Sequence, residues 1–372
     1  MKSIQYEWKK LWKSKAYIAL IVITMLIIAG LFYRNVVYQD IVKSEKIETV
    51  QSQSTWIVSY LSRDRELLKE TGEGSNPDLE ESIALGSQLN GKLQDLLAAI
   101  QEDEHITALH VENDVYALAM QYQTMSDNKS YPISKVEMED EITLNNELLK
   151  KKLPKEDLGA SIQPAVFMKQ VVQYLFNTFG FFIVIVVIGT PIVREFDDNT
   201  IKLTYGLPVS PVRMIMTKWI SITLSGICWF VIALLSAYAI STIFGTEETN
   251  PYDYPFFTEK MAFITAGDYL QQSIILGIFY LLLLMSLFVF LSFLIKNTLV
   301  VHITLLILFV CNYIVIRSGI IFPFLPWVYQ ELDAATLQSN GISWTGFLLM
   351  IVFTGVLLLL AIRASKRREY RR

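Results

Sequence analysis

Six stretches of this chain are apolar for long enough to cross roughly 30 Å of hydrocarbon, which takes about 20 helical residues: Ala16–Phe32, Tyr174–Val193, Trp219–Phe244, Tyr269–Leu294, Leu299–Ile316 and Gly346–Ile362. The pattern predicts an all-α polytopic membrane protein with six transmembrane helices. An even number of spans places both termini on one side. Basic residues gather before the first span, across Arg194–Lys218, at Lys296 and in the tail Arg363–Arg372. Lys and Arg favour the cytoplasmic face, so that side is predicted for both termini.

Ahead of the first span, Ile4, Trp8, Leu11 and Trp12 recur at helical spacing opposite a Lys-rich face. Residues 1–15 are therefore predicted as an interfacial amphipathic helix, with Trp8, Leu11 and Trp12 at the membrane surface. Residues 16–33 form the first transmembrane helix. Lys9, Lys10, Lys13 and Lys15 resemble the basic start of a signal peptide, but no small-x-small cleavage site follows, which predicts a retained signal anchor.

Residues 34–165 separate the first two spans, carry more acids than bases and show helical rather than strand periodicity. Leu89, Leu93, Leu96 and Ile100 share one helical face, and Leu61, Leu67 and Leu68 lie on an earlier helical stretch. Two or three long helices are expected, in an antiparallel hairpin or small bundle that forms an extracellular helical domain. The alternative is a loosely packed spacer. Thr71–Pro77 reads as a turn, Asp78 with Glu81 as the start of the next helix, and Ser126–Pro132 as a second break. Residues 166–372 carry spans two to six, with a cytoplasmic loop at 194–218 and an outer region at 317–343.

Composition sharpens this outline in one direction. Hydrophobic residues make up 52% and charged residues 18% of the chain, a ratio that excludes an ordinary soluble domain. The two cysteines, Cys228 and Cys311, lie in apolar runs and suggest neither a disulfide framework nor a thiolate metal site. His105 and His110 are five apart and do not share a helical face, so no metal site is expected. No G-x-x-x-x-G-K-[ST] nucleotide loop, G-x-S-x-G or H-E-x-x-H occurs, which predicts a chain that is not itself an enzyme and binds no cofactor. Polar residues within the spans are sparse and lack a carboxylate relay, which argues against transport driven by an ion gradient. Phe176, Phe179, Phe181, Phe182, Met285 and Phe288 either line a path for an apolar substrate or simply pack helices.

The loop between the second and third spans is the most informative segment. Glu195 stands at the end of an apolar helix, where a carboxylate needs a partner, and Arg194, Arg213 and Lys218 are the candidates. Asp198 or Asn199 is expected to cap a short helix beginning near Thr200, which Leu207-Pro208 would end. Arg-Glu at a span end, Asn199-Thr200, a short apolar helix, Leu-Pro-Val-Ser and then Arg213 ahead of Lys218 resemble the ABC-2 type permease family. That family usually has Gly-Thr where this chain has Asn199-Thr200, and Ser210-Pro211-Val212 before Arg213 is a second departure.

The resemblance covers the six-span core and not the 34–165 insert. A subset similar to antimicrobial-peptide or antibiotic export and immunity systems carries large inserts at this place. The resemblance implies that the loop holds a coupling helix docking into a separate ATPase subunit, with Glu195, Thr200, Leu203, Leu207, Pro208 and Arg213 as coupling residues. It also implies broken outer half-helices, for which Pro323 and Pro326 supply the interruption. ATP and Mg would be bound by the ATPase and not by this chain. A second permease copy, identical or related, would complete an exporter of an amphipathic peptide, antibiotic or other hydrophobic substrate in a bacterial plasma membrane. The competing reading is a membrane receptor or envelope scaffold with a ligand-sensing extracellular domain.

Overall fold

A computed structural model describes residues 2–71, 76–125, 131–202, 210–246, 250–258, 262–318, 326–338 and 344–366. The described residues are 86% helical, and their α-helices run α1 (Lys2–Trp12), α2 (Lys15–Thr71), α3 (Pro77–Gln101), α4 (His105–Thr124), α5 (Lys135–Lys151), α6 (Pro164–Leu175), α7 (Thr178–Asp197), α8 (Pro211–Phe244), α9 (Ala266–Ile295), α10 (Thr298–Arg317), α11 (Leu332–Gln338) and α12 (Trp344–Lys366). The strands among the described residues, β1 (Pro255–Phe257) and β2 (Phe263–Thr265), form a single pair. Among the described residues six helices, α2, α7, α8, α9, α10 and α12, are long and apolar enough to cross a membrane, which fits a multi-pass membrane protein.

The chain divides into two compact units. The first comprises Met1–Phe32, Pro164–Thr246 and Phe256–Arg372, and the second Tyr33–Gln163 with Glu247–Pro255. α2 contributes to both, because its helix does not stop at the end of the apolar run but continues to Thr71, 57 residues in all. Residues 33–71 hold no proline and no glycine, so nothing in the local sequence breaks the helical ladder there.

In the first unit α9 is the central helix. It is the most apolar of the six spans and is apolar around most of its circumference, as a helix surrounded by others must be. It packs against α7, α8, α10 and α12. Small residues let these helices approach: a Cβ on Gly189 of α7 would lie 2.5 Å from the ring of Phe288 on α9. Two polar contacts tie the start of α2 to α8, Tyr17 Oη donating to the Ser225 carbonyl at 2.8 Å and Trp229 Nε1 to Thr24 Oγ1 at 2.9 Å. Phe176, Phe181, Met285 and Phe288 are fully buried in helix packing within the chain. Phe179 is exposed, and Phe182 stacks edge-on against Phe309.

One element of this unit is absent from the sequence reading. Residues 164–175, which straddle the end of the 34–165 segment and the start of the Tyr174–Val193 span, form the separate helix α6, of which all but Gln173 and Tyr174 are buried. Asn177 makes the break. Its side-chain amide donates to the Gln173 and Tyr174 carbonyls ending α6, while its Oδ1 accepts from Phe179 N and Gly180 N beginning α7. One short side chain thus satisfies orphan groups of two helix ends.

The second unit also departs from expectation. Its described residues hold four long α-helical stretches rather than two or three, because α3 and α4 are interrupted at Glu102–Glu104 with Asp103 in the left-handed region at φ 59. Acidic residues at that corner carried no Gly or Pro to announce a turn. The core joins Val50, Ile57 and Leu61 of α2 to Leu89, Leu93 and Leu96 of α3, Val115, Ala119 and Tyr122 of α4, and Met138 of α5. Helix starts follow their caps. Asn76 accepts from Leu79 N ahead of Pro77, and Ser134 and Glu137 form a reciprocal capping box at α5.

Candidate functional site

Three elements of the first unit meet around Glu195: α1, the last turn of α7 and the second turn of α8. α7 ends because Asn199 adopts φ 56, a left-handed conformation that Asn tolerates better than most residues. Asp198, one of two expected caps for the following helix, instead closes α7, its amide donating to the Arg194 carbonyl at 2.9 Å. Thr200 Oγ1 donates to the Glu195 carbonyl at 3.4 Å, so Thr200 also serves the end of α7. On the far side of the loop, Ser210 caps α8 by accepting from Arg213 N at 3.3 Å, with Pro211 in the first helical position.

Glu195 lies in the last turn of α7, where the helix dipole is unfavourable to a carboxylate and cations must compensate. Lys218 Nζ lies 2.6 Å from Glu195 Oε2, and Lys10 Nζ lies 2.9 Å from Oε1. Lys218 also reaches Glu7 Oε1 at 3.4 Å. Glu7 and Lys10 are three apart on α1 and so present one face to the pair. Two carboxylates and two ammonium groups therefore form a formally neutral cluster, with the Lys218 side chain 2% and the Glu195 side chain 10% exposed. Deep burial is tolerable only because each charge has a hydrogen-bonded partner.

Of the three partners considered for Glu195, the structure selects Lys218. Arg213 points to the exposed side and makes no ion pair among the described residues, and neither does Arg194. Lys10 and Glu7 were missed. The lysines of α1 read as a solvated or headgroup-facing stripe, and only the tertiary fold brings one of them to Glu195. Asp197 adds a further tie, its Oδ2 accepting from Thr298 N at the start of α10 at 3.2 Å.

α1 packs along α8. Trp8 and Trp12 stack edge-to-face with centroids 5.9 Å apart, and Trp12 meets Tyr17 at 5.6 Å. Trp8 is half-buried and Trp12 is 40% exposed. The Leu11 side chain and the residues Leu203, Leu207, Pro208 and Pro323 lie outside the described residues.

Pro326 opens a 3₁₀ turn, Pro326–Gln330, and α11 follows. This segment is anchored by charge as well as apolar contact. Glu331 Oε1 accepts from Thr178 N at 3.1 Å, and Leu332 N donates to the Phe176 carbonyl freed by the α6–α7 break. Asp333 pairs with Lys169 of α6 at 3.3 Å and accepts from Tyr269 Oη at 2.7 Å. Lys169 was not singled out from the sequence, because α6 itself was not recognised.

The sequence profile of the family described as ABC-2 family transporter protein matches residues 1–369. No curated protein matches the chain, and no solved structure does.

Proposed function

We propose a mechanism for a chain that belongs to the ABC-2 transporter family, and so is a membrane-spanning permease of an ABC transporter: the 194–218 loop receives the motion of a separate ATPase subunit and passes it to the spans. The observation that carries this reading is the Glu195–Lys218–Lys10–Glu7 cluster. It binds both ends of the loop, α7 and α8, to each other through the buried Glu195–Lys218 pair and to α1 through the more exposed Lys10 and Glu7, so a push on the loop moves three elements together. Buried, paired charges resist being pulled apart one at a time, because separation leaves an uncompensated charge.

In this reading Thr200, Leu203, Leu207 and Pro208 lie on the docking surface, and Glu195 transmits from behind it. Arg213, exposed at the first turn of α8, reaches outward to the ATPase. ATP and Mg are held by that partner, and a second permease copy faces the first. α1 lies along the cytoplasmic membrane surface with Trp8, Leu11 and Trp12 in the headgroup layer, both termini are inside a bacterial cell, and residues 34–165 are outside. The segment around Pro323 and Pro326 forms the outer half-helix break. The exported substrate is an amphipathic peptide, antibiotic or other hydrophobic molecule.

The test is co-purification of the tagged chain with an ABC ATPase from its native membrane, then ATP turnover of the complex in lipid nanodiscs. Arg213→Ala is expected to leave the melting temperature of the chain unchanged and to lower turnover about tenfold, the loss of one charge-assisted contact at a protein interface. Turnover equal to wild type, or purification of the folded chain with no ATPase, overturns the mechanism.

A further inference from the structure

The second unit contains a cavity of about 730 Å³ between α2, α3, α4 and the segment 154–161. This lies within the roughly 300–1,000 Å³ of small-molecule sites. The space is partly open to solvent rather than an enclosed void. Here small side chains, Ala99 of α3 and Ala108 of α4, face the space.

The lining has two characters. Its floor is apolar, built from Val50, Leu96, Leu109 and Val115, all buried. Its walls carry six carboxylates, Asp40, Glu45, Asp103, Glu112, Glu156 and Asp157, against three lysines, Lys43, Lys46 and Lys155, a formal excess of three negative charges. All three lysines are already engaged, Lys46 donating to the Lys155 carbonyl at 3.4 Å. Lys155 is held by Glu112 at 2.9 Å and by Glu141, and Lys43 by Asp103 at 2.7 Å. Asp40 and Glu45, on the exposed side of α2, make no ion pair among the described residues. Glu112 is fixed in place by Tyr116 Oη at 3.0 Å and Asn145 Nδ2 at 2.8 Å, so the acidic wall is preorganised.

We propose that this cavity binds a small cationic amphiphile, with its apolar body on the partly exposed Ile100, Ala108 and Ile133 above that floor and its charge at the rim formed by Asp40, Glu45 and Asp157. An anion meets the acidic excess. A neutral apolar molecule desolvates these carboxylates without compensating them, which is unfavourable. A delocalised cation satisfies both surfaces. The site lies wholly within the second unit, and its occupancy does not depend on the ATPase mechanism proposed above.

The experiment uses the full chain in nanodiscs of zwitterionic lipid, with empty discs as reference. Equilibrium binding is measured for tetraphenylphosphonium and tetraphenylborate, two ions of the same shape and opposite charge. Saturable binding of the cation, at least about tenfold tighter than of the anion, is expected. The exposed pair Asp40→Asn with Glu45→Gln should weaken cation binding about threefold or more and flatten its salt dependence. Ala108→Phe, which fills the cavity, should abolish it without lowering the melting temperature. Cation uptake no greater than that of empty discs, equal affinity for both ions, or unchanged binding in either variant overturns the proposal.

Discussion

Lys218 Nζ sits 2.6 Å from Glu195 Oε2 across 23 residues of sequence, with the lysine side chain 2% exposed. One partner closes α7 and the other opens α8, so the pair spans the two roots of the loop between them. Removing one member leaves the other charged and buried. Lys218→Met alone is expected to destabilise the chain by about 3–5 kcal/mol. The double variant Glu195→Leu with Lys218→Met should recover most of that loss, since Glu7 and Lys10 can then pair along α1. Thermal unfolding in detergent of the singles and the double measures the coupling. Additive losses would contradict the pairing.

Lys10 occupies the other oxygen of the same carboxylate, but its side chain is 43% exposed. Lys10→Ala should therefore cost no more than about 1 kcal/mol. The expected signature is local: α1 loosens from α8, and amide exchange across residues 2–12 speeds up while α8 stays protected. Unchanged exchange in α1 would mean that aromatic packing of Trp8 and Trp12 holds the helix by itself.

Gly189 is needed where α7 crosses Phe288 of α9, since a Cβ there would stand 2.5 Å from the ring. Overpacking of this kind costs about 1–3 kcal/mol. Gly189→Ala should lower the melting temperature, and pairing it with Phe288→Leu should restore part of it. Gly30, with nothing near its absent Cβ, is the control, and Gly30→Ala should be neutral or slightly stabilising.

The second unit should lose stability at alkaline pH. Burial by itself disfavours the Lys155 ammonium, but Glu112 and Glu141 outweigh it and hold the group above its ordinary value of 10.5. Burial, reinforced by Glu112 and Glu141, likewise pushes the Tyr116 phenol far above its ordinary 10.0. In both cases the folded state binds the proton more tightly than the unfolded state. The associated stability is therefore complete below about pH 10 and lost as pH rises through the folded values. Helical circular dichroism melts across the alkaline range should show this decline, and Lys155→Met should be less stable at neutral pH and decline less steeply. A decline that begins near neutrality would point to other groups.

The sequence by itself determined the membrane class and the six spanning helices, because burial of about 20 apolar residues in hydrocarbon is a local property readable from one run at a time. It also marked Glu195, since an acid at the end of an apolar helix is costly wherever the rest of the chain lies. Local rules marked the turn after Thr71 but did not show that α2 would run unbroken from the span to that point. Its polar residues 33–71 continue the helix without a breaker, and a hydropathy pattern ends the span without ending the helix. Nor did they show α6, whose burial comes from the helices around it. The sequence put Lys218 among three candidate partners of Glu195, but Lys10 and the partner of Asp333 were decided by tertiary structure alone. Lys10 and Glu195 are 185 residues apart, and Lys169 and Asp333 are 164 apart. A charge announces in sequence that it needs a counter-charge, but only the packing of helices fixes which one comes within reach.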